Sequence, residues 1–467
     1  MKTTKMTNLI KTAALSFVVL AGFNSCESQD VTNTDRDAAR IELGYISEDM
    51  AKVRDYVPDM AVIAHRGSVY WVPEETEAAW RWAREMGADY LEADLQCSKD
   101  GVILANHDDN LRRTTNIENV FGETVPESRL EFYMSPVGGG MSLEAAQEQM
   151  KKDRASFNPY YTNQYFYHEL AQLDAGTWFN EESMPEQARE NFSKIQQYVS
   201  PLEDLIMYAE GKKLARVPLT NDRIYTIEGV WDPANPHTSL KYKFSYVDDE
   251  QDTGHRPGIY LEFKESWLNP SNFEEMVYNE LDRLGWNIIT KPEPENTPFW
   301  VDGKVNVGNT NGKVILQTFS FESLRRTAEK YEGKIPMCFL LWHDQITPAQ
   351  YAGYINMGLE FKAHIIGPSI AGAPNNYFEM NSPWMHGMIR RAGMLNHPYS
   401  FDTLEQMNVY FGAYHYGDSD FEAPYMDGAF TNRTEITLQY FIDNGVRDKN
   451  AAQTVPNPVE VLERLGY

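Results

Sequence analysis

AVIAHRGSVYWVPEETEAAWRWAREMGADYLEADLQ, residues 61–96, is the stretch whose reading decides the fold. It opens on a short apolar run at 61–67, passes through a segment of helical period at 75–86 and closes on ADYLEADLQ at 88–96. Strand, helix and strand in this order make a βαβ unit, whose two strands lie parallel. The alternation then recurs. Strand-like runs follow at 258–265 (GIYLEFKE), 313–320 (KVILQTFS), 335–342 (IPMCFLLW), 362–369 (KAHIIGPS), 393–400 (GMLNHPYS) and 427–434 (DGAFTNRT). Helical periods separate or follow them at 272–284, 321–331, 347–357, 383–391, 402–411 and 435–444. Eight strands spaced by helices predict an α/β chain built as a closed (β/α)8 TIM barrel rather than an open doubly wound sheet. No Gly-rich phosphate loop follows any of the runs, so a nucleotide-binding fold has little support.

One connection breaks the spacing. About 160 residues separate the second strand from the third, where a βα unit needs about 30. They include VILANHD at 102–108, Gly138-Gly139-Gly140, many tyrosines and the acidic turn Asp248-Asp249-Glu250. This is an excursion from the barrel, either a lid over its mouth or a surface decoration. No internal repeat and no coiled-coil heptad occurs. The division expected is a leader at 1–26, a tether and N-terminal segment at 27–57, and a barrel domain at 58–467 with the insertion at about 116–257.

The chain of 467 residues carries 68 Asp plus Glu against 42 Lys plus Arg, a formal charge of −26. Nucleic acid and anionic membrane surfaces are thereby disfavoured as partners, since binding either needs a basic stripe. With 42% hydrophobic and 24% charged residues there is ample material for a core, which excludes wholesale disorder. Three cysteines at 26, 97 and 338 make neither a disulfide framework nor a CxxC metal knuckle. Cys97 and Cys338 fall in strand-like runs and are expected to be inert core residues.

The N-terminus reads as an export signal. Lys2, Lys5 and Lys11 precede the apolar run Ala13 to Phe23, which is shorter than the roughly 20 residues a bilayer span needs. Ending in LAGFNSCE, it resembles a lipobox in which Cys26 becomes the acylated mature N-terminus, although Phe23 stands where leucine is usual; an ordinary cleaved signal is the alternative. The polar stretch after Cys26 suits a tether. An exported bacterial protein is expected, at the periplasm or the cell surface, touching membrane only through that lipid anchor.

Strand alternation also sorts the polar residues. Along ADYLEADLQ, Tyr90, Glu92, Asp94 and Gln96 share one face while Leu91, Ala93 and Leu95 share the other. In GIYLEFKE, Tyr260, Glu262 and Lys264 oppose Ile259, Leu261 and Phe263. The apolar faces should pack beneath helices, and the carboxylates then point into the barrel. Carboxylates crowded there would repel or take up protons unless a cation neutralised them. Glu92, Asp94 and Glu262 are therefore the candidate metal ligands, and all-oxygen ligation favours Mg2+ or Ca2+ over zinc. His65 ends the first strand and His107 follows VILAN; two imidazoles can serve as an acid and base pair near neutrality. Arg66 can fork onto a phosphate and Lys264 adds a point charge beside Glu262. A metal, two cations and two histidines at the strand ends, the catalytic face of this barrel, suit an anionic phosphodiester.

The stretch 65–115, HRGSVYWVPEETEAAWRWAREMGADYLEADLQCSKDGVILANHDDNLRRTT, resembles the opening of the glycerophosphodiester phosphodiesterases, with their pattern of HRG, PENT, GAD, ExD, a KDG turn, HD and RTT. The likeness continues through HELAQLDAG at 168–176, LEFKE at 261–265, ILQTFS at 315–320, NHPYSF at 396–401 and DGAFTNRT at 427–434, and it suggests the secreted branch. It implies metal-dependent hydrolysis of small-molecule glycerophosphodiesters to glycerol 3-phosphate and an alcohol. By the same likeness His65 and His107 would be the acid and base, Glu92, Asp94 and Glu262 the metal ligands, and Arg66 and Lys264 the phosphate holders. Two departures bear on the leaving group. The PENT position reads Pro73-Glu74-Glu75-Thr76, placing Glu75 where the pattern has asparagine near the mouth, and the segment 212–257 lengthens the excursion. The alternatives are a phospholipase D or lyase of the same barrel family acting on lysolipids, with the tyrosine-rich excursion shaping the mouth, and a non-catalytic surface binding lipoprotein.

Overall fold

A computed structural model describes residues 34–264, 267–342, 344–413 and 424–467; Cys26 and the leader lie outside the described residues. Eight strands form the barrel: β1 (Ala61–Ala64), β2 (Tyr90–Cys97), β3 (Gly258–Phe263), β4 (Val314–Thr318), β5 (Met337–Leu341), β6 (Ile365–Pro368), β7 (Leu395–Asn396) and β8 (Gly428–Thr431). They pair in parallel in the order β7-β6-β5-β4-β3-β2-β1-β8. The seam between β7 and β8 is closed just past β7, where Phe430 N–H donates to Pro398 O at 3.2 Å and Phe401 N–H to Phe430 O at 2.8 Å. The α/β barrel read from the strand–helix alternation is thus the fold observed, with the insertion between its second and third strands.

The strand sequences explain the architecture. β4, β5 and β6 read VILQT, MCFLL and IIGP and are buried throughout, as parallel strands covered on both faces must be. Side chains alternate between two layers. Ile63, Tyr90, Tyr260, Ile315, Cys338, Leu340, Ile365 and Phe430 fill the barrel interior. Leu91, Ala93, Leu95, Ile259, Leu261 and Phe263 join the helices outside. Both cysteines the structure describes, Cys97 and Cys338, are buried. The helix Glu77–Met86 starts at Thr76, whose side chain caps Ala79 N–H, and ends at Gly87 in the left-handed region. Helices Phe273–Arg283, Phe321–Tyr331, Pro348–Glu360, Pro383–Arg391 and Thr434–Asp443 match the periodic segments to within a few residues. The segment at 402–411 is helical only over Leu404–Asn408 and then widens into a π-helical turn.

The excursion folds on itself. Ile103–Ala105 doubles back antiparallel on β2, and two hairpin ladders follow, Lys212–Leu214 with Tyr246–Asp248 and Tyr225–Gly229 with Leu240–Phe244. Several of its tyrosines build a core of its own, Tyr133, Tyr165 and Tyr167 packing with Phe166, Leu170 and Trp231, while Tyr198 and Tyr208 join the layer between barrel and helices. Asp249, inside the acidic turn, clamps the excursion to the barrel by accepting from Arg81 Nε at 2.7 Å and Arg84 Nη2 at 2.7 Å, both on the helix Glu77–Met86. Ahead of the barrel, Ala38, Ile46, Val53 and Val57 are buried, and the Arg391 guanidinium donates to Ala38 O and Ile41 O. The chain from residue 38 onward therefore lies packed on the barrel.

Candidate functional site

The β2–β3–β4 register sets the site. Asp94 lies beside Glu262, and Glu262 beside Gln317, so these three side chains occupy one layer of the interior, with Glu92 one step below beside Tyr260. One carboxylate oxygen each from Glu92, Asp94 and Glu262 lie within 4.8 Å of one another, all three residues being buried. The turn after β1 brings the cations to this cluster. Arg66 sits in the left-handed region at φ 49° and ψ 28°, a strained position for a residue with a side chain. Its backbone N–H donates to Glu92 Oε2 at 2.6 Å, its Nε lies 3.3 Å from Asp94 Oδ2 and its Nη1 3.5 Å from Glu74 Oε1. Gly67 follows because a Cβ there would come within 2.4 Å of Ala79 Cβ on the adjoining helix. Lys264, just past β3, places Nζ 3.0 Å from Glu262 Oε1 and 3.7 Å from Asp94 Oδ1.

Without a cation the carboxylates carry the electrostatic cost. Burial, with Asp94 and Glu262 nearby, pushes Glu92 well above the usual carboxylate range. Burial pushes Glu262 up to about 8, Asp94 adding to the effect and Lys264 opposing it. For Asp94, burial is outweighed by Lys264, His107 and Arg66, which hold it below its ordinary value. Asp94 Oδ2 is buried and accepts no hydrogen bond. Three converging carboxylate oxygens are a donor set that fits a hard divalent ion.

Two histidines open onto the same cavity, about 180 Å³ in volume, whose walls also include Arg66, Glu92, Glu262 and Lys264. Each ring is oriented through Nδ1. Asn432, after β8, has its amide nitrogen 2.8 Å from Asp402 Oδ1; since a carboxylate accepts, this fixes the amide, and Asn432 Oδ1 faces His65 Nδ1 at 2.7 Å. His65 therefore donates through Nδ1–H and keeps Nε2 for the cavity. His107 Nδ1–H donates to Asp108 Oδ1 at 2.5 Å, and Asp108 Oδ2 accepts from Arg113 Nε at 2.6 Å. Arg113 continues to Glu74 at 2.6 and 2.9 Å, linking His107 back to Arg66. Burial, reinforced by Arg66, lowers the pKa of both rings; the Asn432 bond opposes this at His65, and Asp94 and Asp108 oppose it at His107.

The structure thus assembles all seven candidates, His65, Arg66, Glu92, Asp94, His107, Glu262 and Lys264, while Cys26 lies outside the described residues. Arg66 and Lys264 rest on the carboxylates themselves. Glu75 is not at the mouth. It is buried beneath the cluster, with Oε1 accepting from Asp94 N–H at 2.6 Å. Burial and the charges of Asp94, Glu92 and Glu74 raise its pKa well above the ordinary value. The lid reading of the excursion also changes: among the described residues it gives the cavity His107 and none of its tyrosines. Sequence reasoning missed Gln317, whose Nε2 donates to Glu92 Oε1 at 2.9 Å, and the Asn432–Asp402 support of His65. Gln317 was legible as the polar residue on the face that Ile315 shares along β4.

Comparison with known proteins adds a family likeness. The sequence profile of the glycerophosphoryl diester phosphodiesterase family matches residues 65–224. A glycerophosphodiester phosphodiesterase of Bacillus subtilis is 26% identical over 353 residues, covering 75% of this chain and 80% of that one. A glycerophosphodiester phosphodiesterase of Caldanaerobacter subterraneus is 53% identical over 57 residues, 12% of this chain and 24% of that protein. Among solved structures, an Oleispira antarctica phosphodiesterase in complex with the product sn-glycerol-3-phosphate is 15% identical, with 82% of this chain and 97% of that one covered at a TM-score of 0.44.

Proposed function

Because the chain belongs to the glycerophosphodiester phosphodiesterase family, we propose that it hydrolyses glycerophosphodiesters to glycerol 3-phosphate and an alcohol, with His65 and His107 as the acid and base pair. The observation that carries this reading is the cavity in which two imidazoles, each tied at Nδ1, share walls with the Glu92, Asp94 and Glu262 cluster. Glu92, Asp94 and Glu262 would hold Ca2+ or Mg2+, which when bound offsets charge on phosphoryl oxygens and on a glycerol hydroxyl. Arg66 and Lys264, already at the cluster, supply the cationic contacts for the phosphate.

The two supports differ in charge, and the proposed roles follow that difference. His65 faces a neutral amide, which favours the imidazolium less than a carboxylate does, so its Nε2 is the base that takes the proton of the glycerol hydroxyl next to the phosphoester. His107 faces the Asp108 carboxylate, which stabilises the imidazolium, so it protonates the departing alcohol. The hydroxyl oxygen attacks phosphorus as the bond to the alcohol breaks, giving a cyclic glycerol phosphate. Water then opens the ring with the two histidine roles exchanged. A headgroup panel assayed after chelation and after adding back Ca2+ or Mg2+ tests the reading. Release of glycerol 3-phosphate only with added metal is expected; no turnover of any glycerophosphodiester would refute it. Turnover of lysophosphatidylcholine in preference to glycerophosphocholine would move the function to the lysolipid alternative.

The export reading belongs to the same proposal: the chain acts outside the cytoplasm, held by an acylated Cys26, where deacylated phospholipids are available for scavenging. Among the described residues no helix is long and apolar enough to cross a membrane.

A further inference from the structure

We propose that the aromatic wall of the catalytic cavity is a subsite for a quaternary ammonium group, so that the alcohol released is a choline-like cation. This rests on the phosphodiesterase reading of the same cavity. Opposite the charged groups, the lining is Phe319, Trp342, Tyr377 and Tyr399, with Phe430 and Leu340 beneath. Phe319 meets Trp342 at 5.4 Å and 76°, and Tyr399 at 5.6 Å and 89°; Tyr399 meets Tyr377 at 6.0 Å and 60°. Rings joined at such steep angles do not make the flat platform on which a sugar or base stacks. They turn round a corner and enclose it.

The chemistry of the corner selects its occupant. Tyr399 spends its hydroxyl on Leu341 O at 2.7 Å. Besides the tyrosine hydroxyls, the polar groups on this wall among the described lining residues are the Trp342 indole N–H and the Ser400 hydroxyl. An inositol headgroup has more hydroxyls than these few groups can pair. A trimethylammonium group needs no hydrogen bonds, presents methyl groups to the ring faces and is attracted by their quadrupoles. A cavity of about 180 Å³ that must also take the glycerophosphate half of the substrate gives little room for a long acyl chain, and Trp342 is 65% exposed.

Tetramethylammonium and its neutral isostere 3,3-dimethylbutanol test this on the intact protein by calorimetry and as inhibitors. Tetramethylammonium should bind at least about tenfold more tightly and compete with glycerophosphocholine. Trp342→Ala, at an exposed position, should lower the ratio of kcat/KM for glycerophosphocholine over that for glycerophosphoglycerol by about tenfold. Phe319→Leu should lower the same ratio while keeping apolar volume. Equal binding of cation and isostere, or an unchanged ratio in both variants, would overturn the subsite. If no glycerophosphodiester were turned over at all, the phosphodiesterase reading would fall, and the calorimetric comparison would still decide the subsite.

Discussion

Loading Mg2+ or Ca2+ onto Glu92, Asp94 and Glu262 should release protons, in an amount that Glu262 sets. Its carboxyl is raised from 4.5 to about 8 in the folded protein. At pH 7 a group with that pKa holds about 0.9 of a proton, and at pH 9 about 0.1. A carboxylate must be ionised to ligate, so binding at pH 7 should expel about 0.9 proton or more, Glu92 adding to the count, and binding at pH 9 markedly fewer. Apparent affinity should climb about tenfold per pH unit up to about 8 and then level off. Titration calorimetry at pH 7 in two buffers of different ionisation enthalpy measures the release, and Glu262→Gln should diminish it. Stability carries the same signature. Below about 4.5 the carboxyl is protonated both folded and unfolded; between 4.5 and 8 only the unfolded chain has lost the proton. The metal-free protein should therefore lose stability as pH rises through that window, at up to about 1.4 kcal/mol per pH unit, and added metal should flatten the slope. Release of less than about 0.2 proton at pH 7 would refute the crowded-carboxylate argument.

The remaining predictions concern the groups around that cluster. His65→Ala and His107→Ala should each lower kcat by about 100- to 10,000-fold while the circular dichroism spectrum is preserved; retention of near-full turnover in either would end the acid and base pairing. Asn432→Ala removes the acceptor that fixes the His65 tautomer, so kcat should fall by roughly tenfold or more with KM little changed, and a loss confined to KM would show a different role. Glu75→Ala leaves the Asp94 N–H without its partner and should cost about 1–3 kcal/mol in chemical denaturation, whereas Glu75→Gln keeps the acceptor and should cost less; equal losses would contradict the stabilising role of that hydrogen bond. Cys26→Ser should move the protein from the membrane fraction to the soluble or secreted fraction, and unchanged fractionation would favour an ordinary cleaved signal.

Much of the barrel was legible because parallel strands covered on both faces must be written as apolar runs. VILQT and MCFLL announce themselves. The same logic makes a polar residue on such a strand conspicuous, which is why Glu92, Asp94 and Glu262 stood out and why Gln317 could have. Asn432 was not legible in this way. It sits 367 positions from His65, and its role exists only because β8 closes the barrel against β1. The excursion defeated periodicity for a different reason: its core is assembled from short helices and two hairpins, and nothing local in Asp248-Asp249-Glu250 tells that Asp249 is buried under two arginines while its neighbours stay outside.

By itself, the sequence determined the strand and helix succession, the inward sign of the carboxylates and the pairing of two histidines with two cations, since each is a matter of residue type and period along a few neighbours. Only the tertiary structure decided what those groups contact. It decided that Asp94, Glu262 and Gln317 share a layer, that a neutral amide holds one histidine and a carboxylate the other, and that Glu75 lies under the cluster rather than at its mouth. It also gave Tyr133, Tyr165 and Tyr167 to a core of the excursion's own and lined the cavity with Phe319, Trp342 and Tyr399 from the ends of three later strands. Closing a sheet into a barrel brings distant strand ends to one rim, and the identity of the neighbours met there is a property of the closed ring, which no local period encodes.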